Sequence, residues 1–398
     1  MRIAVFHNLP SGGAKRALYE WTRRLAGKHR LDVFSLSSAD HSFCDLRPFA
    51  ERYRIYEFYP RRLYASPLGR LNQFQRWREL NALVQIGRVI ANKINAGGYD
   101  VVFANPCKFT FIPTFIPYVK IPCVYFLHEP FGITFQRRLE RPYLRRNKSS
   151  DLLDRFDPLI QLYNSRITGL QGESLRRTKL LLANSRFTSE QMKREFAIEV
   201  SICRLGVDSD CFHPQVGIDR NNMLISVGEL SPRKGFDFLI ESMAYIPSGQ
   251  RPKLHLACNR IDPDEQAYLQ DLADQNGVEL QVLSNLTAEE LTLKYNLAKL
   301  CIYAPVLEPF GLVPLEAMAC GTPVVGVREG GVQEIIIHER TGLLVDRDPE
   351  KFAGAIRMLL DNPDKRADFG RQARTYVMKE WTWSKSTAVL EEFLTSVV

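Results

Sequence analysis

No stretch of the sequence is apolar for long enough to form a bilayer-crossing helix. The first residues, Met1-Arg2-Ile3-Ala4-Val5-Phe6-His7, have too short an apolar run for a secretory signal and no small-residue cleavage site behind it, so a cytoplasmic location is expected. Close cysteine pairs are missing as well. Cys44, Cys107, Cys123, Cys203, Cys211, Cys258, Cys301 and Cys320 are scattered, without the spacing of a zinc site, and buried thiols in a reducing compartment are expected. There is no low-complexity tract and no repeat at a solenoid period, which excludes fibrous and disordered classes. What is present is an ordinary globular composition, 45% hydrophobic and 25% charged over 398 residues. That length exceeds what one hydrophobic core usually serves, so two domains of roughly 200 residues each are expected.

The net charge of +8 is unevenly spread. Residues 137–186 carry twelve Arg or Lys against five Asp or Glu, and Arg61, Arg62, Arg70, Arg76 and Arg78 form a second basic run. Such stripes attract phosphates of nucleic acid, of anionic lipid or of a phosphorylated substrate, or are solvated helix faces.

Apolar runs alternate with helical periodicity through the chain. The strand at Ile3 to Phe6 leads through Pro10-Ser11-Gly12-Gly13 into a helix with Ala14, Ala17, Leu18, Trp21 and Leu25 on one face. Strands are also expected at 31–36, 101–104, 123–127 and 180–183, with helices over 71–94 and 152–177. After a polar stretch past Gly206-Val207-Asp208 the alternation restarts at Met223, with strands at 223–227, 254–257, 280–283, 300–303, 324–327 and 343–345. Strand–helix alternation implies mostly parallel sheets covered by helices. The expected division is 1–210, 211–380, and a final helix in 381–398.

The densest chemical signal runs from Glu308-Pro309-Phe310-Gly311-Leu312 through Glu316 to Gly321. It reads as a loop after a strand, a helix starting near Leu312 and a glycine stop. The amides of Phe310, Gly311 and Leu312 would be unpaired donors at a helix start, where the macrodipole favours an anion such as a diphosphate. Glu308 in the loop and Glu316 one turn into the helix would accept hydrogen bonds from hydroxyls beside that anion, which a sugar and a ribose supply. Upstream, Gly228-Glu229-Leu230-Ser231-Pro232-Arg233-Lys234-Gly235 follows a strand and offers two cations to the same diphosphate.

These motifs, with Gly12-Gly13, His128-Glu129-Pro130-Phe131, Asn184-Ser185-Arg186-Phe187-Thr188 and Trp383-Ser384, resemble glycosyltransferase family 4, retaining enzymes of the GT-B fold. The resemblance implies two Rossmann-like domains facing across a cleft, the first on the acceptor side and the second binding the nucleotide sugar. It implies that Glu308 touches donor-sugar hydroxyls, Glu316 holds the ribose and Lys234 binds phosphate. Gly12 and Gly13 would admit the diphosphate and acceptor, the backbone near Leu286 would meet the base, and His128 would hydrogen-bond the donor sugar and stabilise charge. It further implies retention by front-face attack, with no metal or other cofactor, and a last helix that returns to the first domain. The donor is expected to be a GDP- or UDP-sugar, GDP-mannose being favoured by the His128-Glu129-Pro130 loop, and the acceptor a glycan or lipid-linked molecule. The basic segment suggests peripheral contact with an anionic membrane. One departure stands out: Glu229 occupies the place where the family commonly has arginine, and Arg233 is expected to take over its charge. Asp208-Ser209-Asp210 and Asp346-Arg347-Asp348 imitate a metal-binding Asp-x-Asp pattern and are expected to be turns. A nucleic-acid binder explains the basic segment but none of the second-half motifs, and a catalytically dead nucleotide-sugar binder is the other alternative.

Overall fold

The apolar runs fold into two parallel sheets, each flanked by helices. The computed structural model describes residues 1–62, 64, 72–130, 139–144 and 157–398. Arg70, Phe131, and the expected helix starts at Leu71 and Leu152 lie outside the described residues, as do 137–138 and 145–156 of the basic segment.

In the first half, β1 (Arg2–Asn8), α1 (Gly13–Leu25), β2 (Arg30–Leu36), β3 (Arg52–Tyr56), α2 (Asn72–Asn95), β4 (Val101–Cys107), β5 (Cys123–Leu127), α3 (Pro158–Arg177), β6 (Leu180–Ala183), α4 (Arg186–Phe196) and β7 (Ser201–Ile202) follow in order. The strands pair in parallel in the order β3-β2-β1-β4-β5-β6-β7. The second half holds β8 (Asn221–Val227), α5 (Phe236–Ala244), β9 (Lys253–Cys258), α6 (Pro263–Gln275), β10 (Leu280–Ser284), α7 (Ala288–Leu297), β11 (Ala298–Tyr303), α8 (Leu312–Ala319), β12 (Val324–Val327), α9 (Val332–Ile335), β13 (Gly342–Val345), α10 (Pro349–Leu360), α11 (Pro363–Glu380) and α12 (Trp383–Ser396). Its parallel order is β10-β9-β8-β11-β12-β13. In both sheets the order reverses beside the first strand, at β1/β4 and at β8/β11. Ligands of open α/β sheets bind outside the strands' carboxyl ends at such points.

The central strands are buried on both faces, which is why they read as continuous apolar runs: β5 and β12 are buried throughout. The strand β3 was not expected. Its sequence, Arg-Tyr-Arg-Ile-Tyr, carries two arginines and a half-exposed pattern, as suits the sheet edge it occupies. Helix starts follow their caps: Asp262 accepts from the amides of Asp264 and Glu265, and Thr287 with Glu290 closes a capping box.

The chain crosses between the halves twice, side by side. Val207 N–H donates to Trp381 O at 2.9 Å, and a Cβ on Gly206 would lie 2.4 Å from Trp383 N, so only glycine fits there. Beyond that crossing α12 lies on α1. Trp21 Nε1 donates to Ser386 Oγ at 2.8 Å, Glu391 takes Lys28 at 2.8 Å, and Trp383 meets Trp21 edge to face at 6.0 Å. Burial of Leu390, Leu394 and Trp383 contributes roughly 1.5–3 kcal/mol each.

Candidate functional site

The carboxyl ends of β1, β8 and β11 converge on one cleft between the two sheets. From β11 the loop 304–311 turns into α8 at Gly311, whose φ of +120° suits glycine. No acceptor among the described residues takes the amides of Phe310, Gly311 or Leu312. Phe310 is buried against Trp381, 5.7 Å between rings, and anchors the loop. Behind it the pair Gly330-Gly331 is packed so tightly that a Cβ on either would lie 2.3 Å from the carbonyl oxygen of Glu308 or Pro309.

From β8 the turn 228–235 brings in Lys234, whose Nζ donates to Glu308 Oε2 at 2.9 Å, each side chain about one-fifth exposed. Its stem crosses Gly228, where a Cβ would lie 3.1 Å away. Gly235, at φ +64°, would put a Cβ 2.1 Å from Ala304 O. Gly235 thus tolerates no side chain, and Gly228 leaves room for the Lys234 stem that reaches Glu308. Arg233 is half exposed and faces Glu129 of the first domain at 3.7 Å, and burial in the cleft, with the nearby Glu308 charge, raises the Glu129 pKa. Glu229 pairs outward with Arg260 at 3.3 Å.

Glu316 is buried, and its carboxylate is already satisfied. One oxygen receives the Arg16 guanidinium from α1, across the cleft, and the other accepts from Tyr295 Oη at 3.0 Å. Burial raises its pKa, and Arg16 and Tyr295 oppose that shift. The Gly12-Gly13 loop begins α1 with Gly12 at φ +140°, and a Cβ on Gly13 would lie 3.1 Å from Leu312 Cδ1. The two loops therefore face each other at close range, and the cleft is narrow between them. Leu286 is half-buried in the turn after β10.

His128 follows β5. Its Nε2 lies 3.3 Å from Asn105 Oδ1, and its ring packs on Phe126 at 4.7 Å and near Trp21 at 6.2 Å. Burial lowers its pKa to about 3, so the ring is neutral at pH 7. Asn184 Nδ2 donates to His128 O at 2.7 Å, and the neighbouring Ser185 Oγ donates to Pro309 O at 2.5 Å. His128 and the Glu308 loop are thus held by adjacent residues, His128 by Asn184 and the loop by Ser185. The amides of Arg186 and Phe187 are capped by Glu334 of the second domain, at 3.1 and 2.9 Å.

The structure thus brings Gly12, Gly13, Glu308, Phe310, Gly311, Leu312, Glu316, Arg233 and Lys234 to one cleft, with His128 on its first-domain wall. Sequence reasoning missed Arg16, Tyr295, Glu334 and Gly330-Gly331. Arg16 sits one turn after Gly12, on the helix start that faces the cleft, and a helical projection from that loop would have found it. The double glycine was a visible turn signal. Both Asp-x-Asp segments are turns: Asp208 Oδ1 accepts from Asp210 N at 3.1 Å, and Asp348 caps α10 through Lys351 N at 3.0 Å. Among the described residues no group of three or more His, Cys, Asp or Glu could hold a metal ion. All eight cysteines are free.

Residues 208–376 match the family described as Glycosyl transferases group 1. The match takes in less than half of the chain. It contains Lys234, Glu308 and Glu316, three of the side chains that meet in the cleft. The chain is 35% identical over 176 residues to an uncharacterized glycosyltransferase of Methanocaldococcus jannaschii, covering 43% of this chain and 44% of that protein. It is 31% identical over 236 residues to a GDP-mannose-dependent alpha-(1-6)-phosphatidylinositol monomannoside mannosyltransferase of Mycolicibacterium smegmatis, covering 53% and 60%. The chain spans about half the length of the curated relatives it matches. Among solved structures, Anabaena HepE in complex with UDP-glucose superposes with a TM-score of 0.72 at 20% identity, covering 100% of both chains. The two parallel sheets and the helices that flank them have the GT-B fold.

Proposed function

We propose that this chain is a retaining glycosyltransferase that moves a hexosyl unit, mannosyl by preference, from a nucleoside diphosphate sugar to a glycan or lipid-linked acceptor. The observation that carries the reading is the Lys234–Glu308 pair beside the unpaired amides that open α8, inside the residues that match the group 1 family. An arriving diphosphate would take those amides and the Lys234 ammonium. Glu308, released from Lys234, would then accept a hydrogen bond from a sugar hydroxyl. In the transfer the bond from the sugar's C1 to the diphosphate oxygen breaks. A bond from C1 to the acceptor oxygen forms on the same face, and the departing diphosphate takes the hydroxyl proton. Neutral His128 would donate a hydrogen bond to the donor sugar, and the reaction would need no metal. The relative that uses GDP-mannose supports the guanine donor, and the neighbour holding UDP-glucose makes the uridine donor the outcome to test against it.

The acceptor side carries a surface suited to an anionic membrane. Phe74 and Leu162 are more than half exposed in the first turns of α2 and α3, and Tyr163 lies within electrostatic reach of Arg76 and Glu79, so these turns are neighbours. Apolar side chains among arginines fit an interface of headgroups. Within the described residues no helix is long and apolar enough to cross a membrane.

The transfer reading is tested with labelled GDP-mannose and UDP-glucose and a panel of lipid-linked and free glycans. Wild type should release nucleoside diphosphate in an acceptor-dependent way, and Glu308→Gln should lower kcat about 100-fold or more. Equal turnover in the variant would refute the role given to Glu308.

A further inference from the structure

The first domain reaches into the second through Arg141, a residue of the basic segment that is only 4% exposed at its side chain. Its guanidinium lies beside α6, where Nε donates to Glu265 Oε2 at 2.9 Å and Nη2 to Glu265 Oε1 at 3.1 Å. Nη1 donates to Asp237 Oδ2 of α5 at 2.9 Å, and Nη2 lies 3.5 Å from the carbonyl oxygen of Pro232. The plane stacks over Tyr268 at 5.1 Å, and Tyr143 Oη donates to Glu265 as well. Glu265 is fully buried. A planar fork with donors on three sides matches this arrangement, and an ammonium would not.

The place of these partners matters more than their number. Pro232 opens the turn Pro232–Lys234, and Asp237 stands in the first turn of the helix that follows. Arg141 therefore grips the phosphate-facing turn from behind, while Arg233 on the same turn faces Glu129. Both Glu129 and Arg141 belong to the chain that leaves β5 after His128.

We propose that Arg141 is a positioning residue: it clamps the Pro232–Lys234 turn to the first domain, so that the donor phosphates and the sugar-facing His128 are held in one register. The inference deepens the transfer reading and rests on it. A clamp of this type would make nucleotide affinity depend on a residue that touches no nucleotide, through the order of one turn.

Arg141→Met alone would strand the buried Glu265 carboxylate and endanger folding. The test therefore pairs it with Glu265→Gln, which removes both charges, and uses Arg141→Lys as the conservative change. Full-length proteins are compared by amide hydrogen exchange without ligand and by calorimetric titration with UDP and GDP. In Arg141→Met/Glu265→Gln the amides of 230–236 should exchange about tenfold faster or more, with the strands of both sheets still protected, and the nucleotide Kd should rise by a similar factor. Arg141→Lys should fall between, because a single ammonium cannot reach Glu265, Asp237 and the Pro232 carbonyl together. Exchange at 230–236 that stays at the wild-type rate overturns the clamp. Exchange that rises everywhere also overturns it, because Arg141 would then serve only global stability. Wild type binding neither nucleotide refutes the transfer reading instead, and the ligand-free exchange still decides the clamp.

Discussion

Replacing Arg16 by methionine keeps the length of a side chain that packs along α1 and removes the cation facing Glu316. That glutamate is 4% exposed and keeps only Tyr295 as a partner after the change. Removing one member of a fully buried ion pair costs roughly 3–5 kcal/mol. Arg16 is 30% exposed at its side chain, so water softens the loss, and about 2 kcal/mol is the expected destabilisation at pH 8. For a protein of this size that corresponds to a fall in Tm of about 2–3 °C. The pH dependence fixes the cause. Burial already raises the Glu316 pKa, and loss of Arg16 raises it further. A carboxyl with a raised folded-state pKa binds its proton more tightly in the folded protein, so the penalty is complete at high pH and shrinks as pH falls through that raised value. Denaturant titration of wild type, Arg16→Met and Arg16→Met/Glu316→Gln between pH 5 and 8 measures all of this. The double variant should recover most of the loss at pH 8. A penalty that does not change with pH, or that glutamine at 316 leaves in place, would refute the claim that Arg16 neutralises Glu316 across the cleft.

Two further outcomes are expected. Lys15 is fully buried beside neutral His7, at 3.2 Å, and burial lowers its pKa to about 8. Its charged form therefore destabilises the fold below pH 8, and the penalty is relieved as pH rises from there to about 10.5. Lys15→Met should be more stable than wild type by roughly 1–3 kcal/mol at pH 7 and equal to it near pH 10.5, read by denaturant titration. For the proposed membrane surface, sedimentation with vesicles should retain the protein only when anionic lipid is present, and Phe74→Ser/Leu162→Ser should halve that retention or more. Retention that ignores lipid charge would sink the idea.

Much of the fold was legible because the central β-strands are buried on both faces and announce themselves as apolar runs. The edge strand β3 escaped notice, since its arginines are tolerated at an edge and carry no run. In the site, glycine and charge motifs marked the loops: Gly311 begins α8, and Lys234 meets Glu308 at 2.9 Å. The pairs that join the domains left no local trace. Arg16 and Glu316 are 300 residues apart, and Arg141 and Glu265 are 124 apart. Each such residue alone reads as a charge on a helix or loop, and only the packing of one domain on the other shows its partner. Arg141 is instructive because composition placed it in a stripe that suggested lipid or phosphate, whereas packing commits it to two acids of the same chain. Glu229, where the family commonly has arginine, faces outward to Arg260, which leaves Lys234 and Arg233 as the two cations of that turn.

The central claim is that a nucleoside diphosphate sugar is held where α8 begins, by Lys234 on one side and, with a ribose hydroxyl displacing Arg16 from it, by Glu316 on the other. Calorimetric titration of GDP-mannose and UDP-glucose into wild type, Lys234→Ala and Glu316→Gln tests it directly. The account predicts that wild type binds at least one of the two and that each variant weakens that binding about tenfold or more. Equal affinity in all three proteins, or no binding of either donor by wild type, would contradict it.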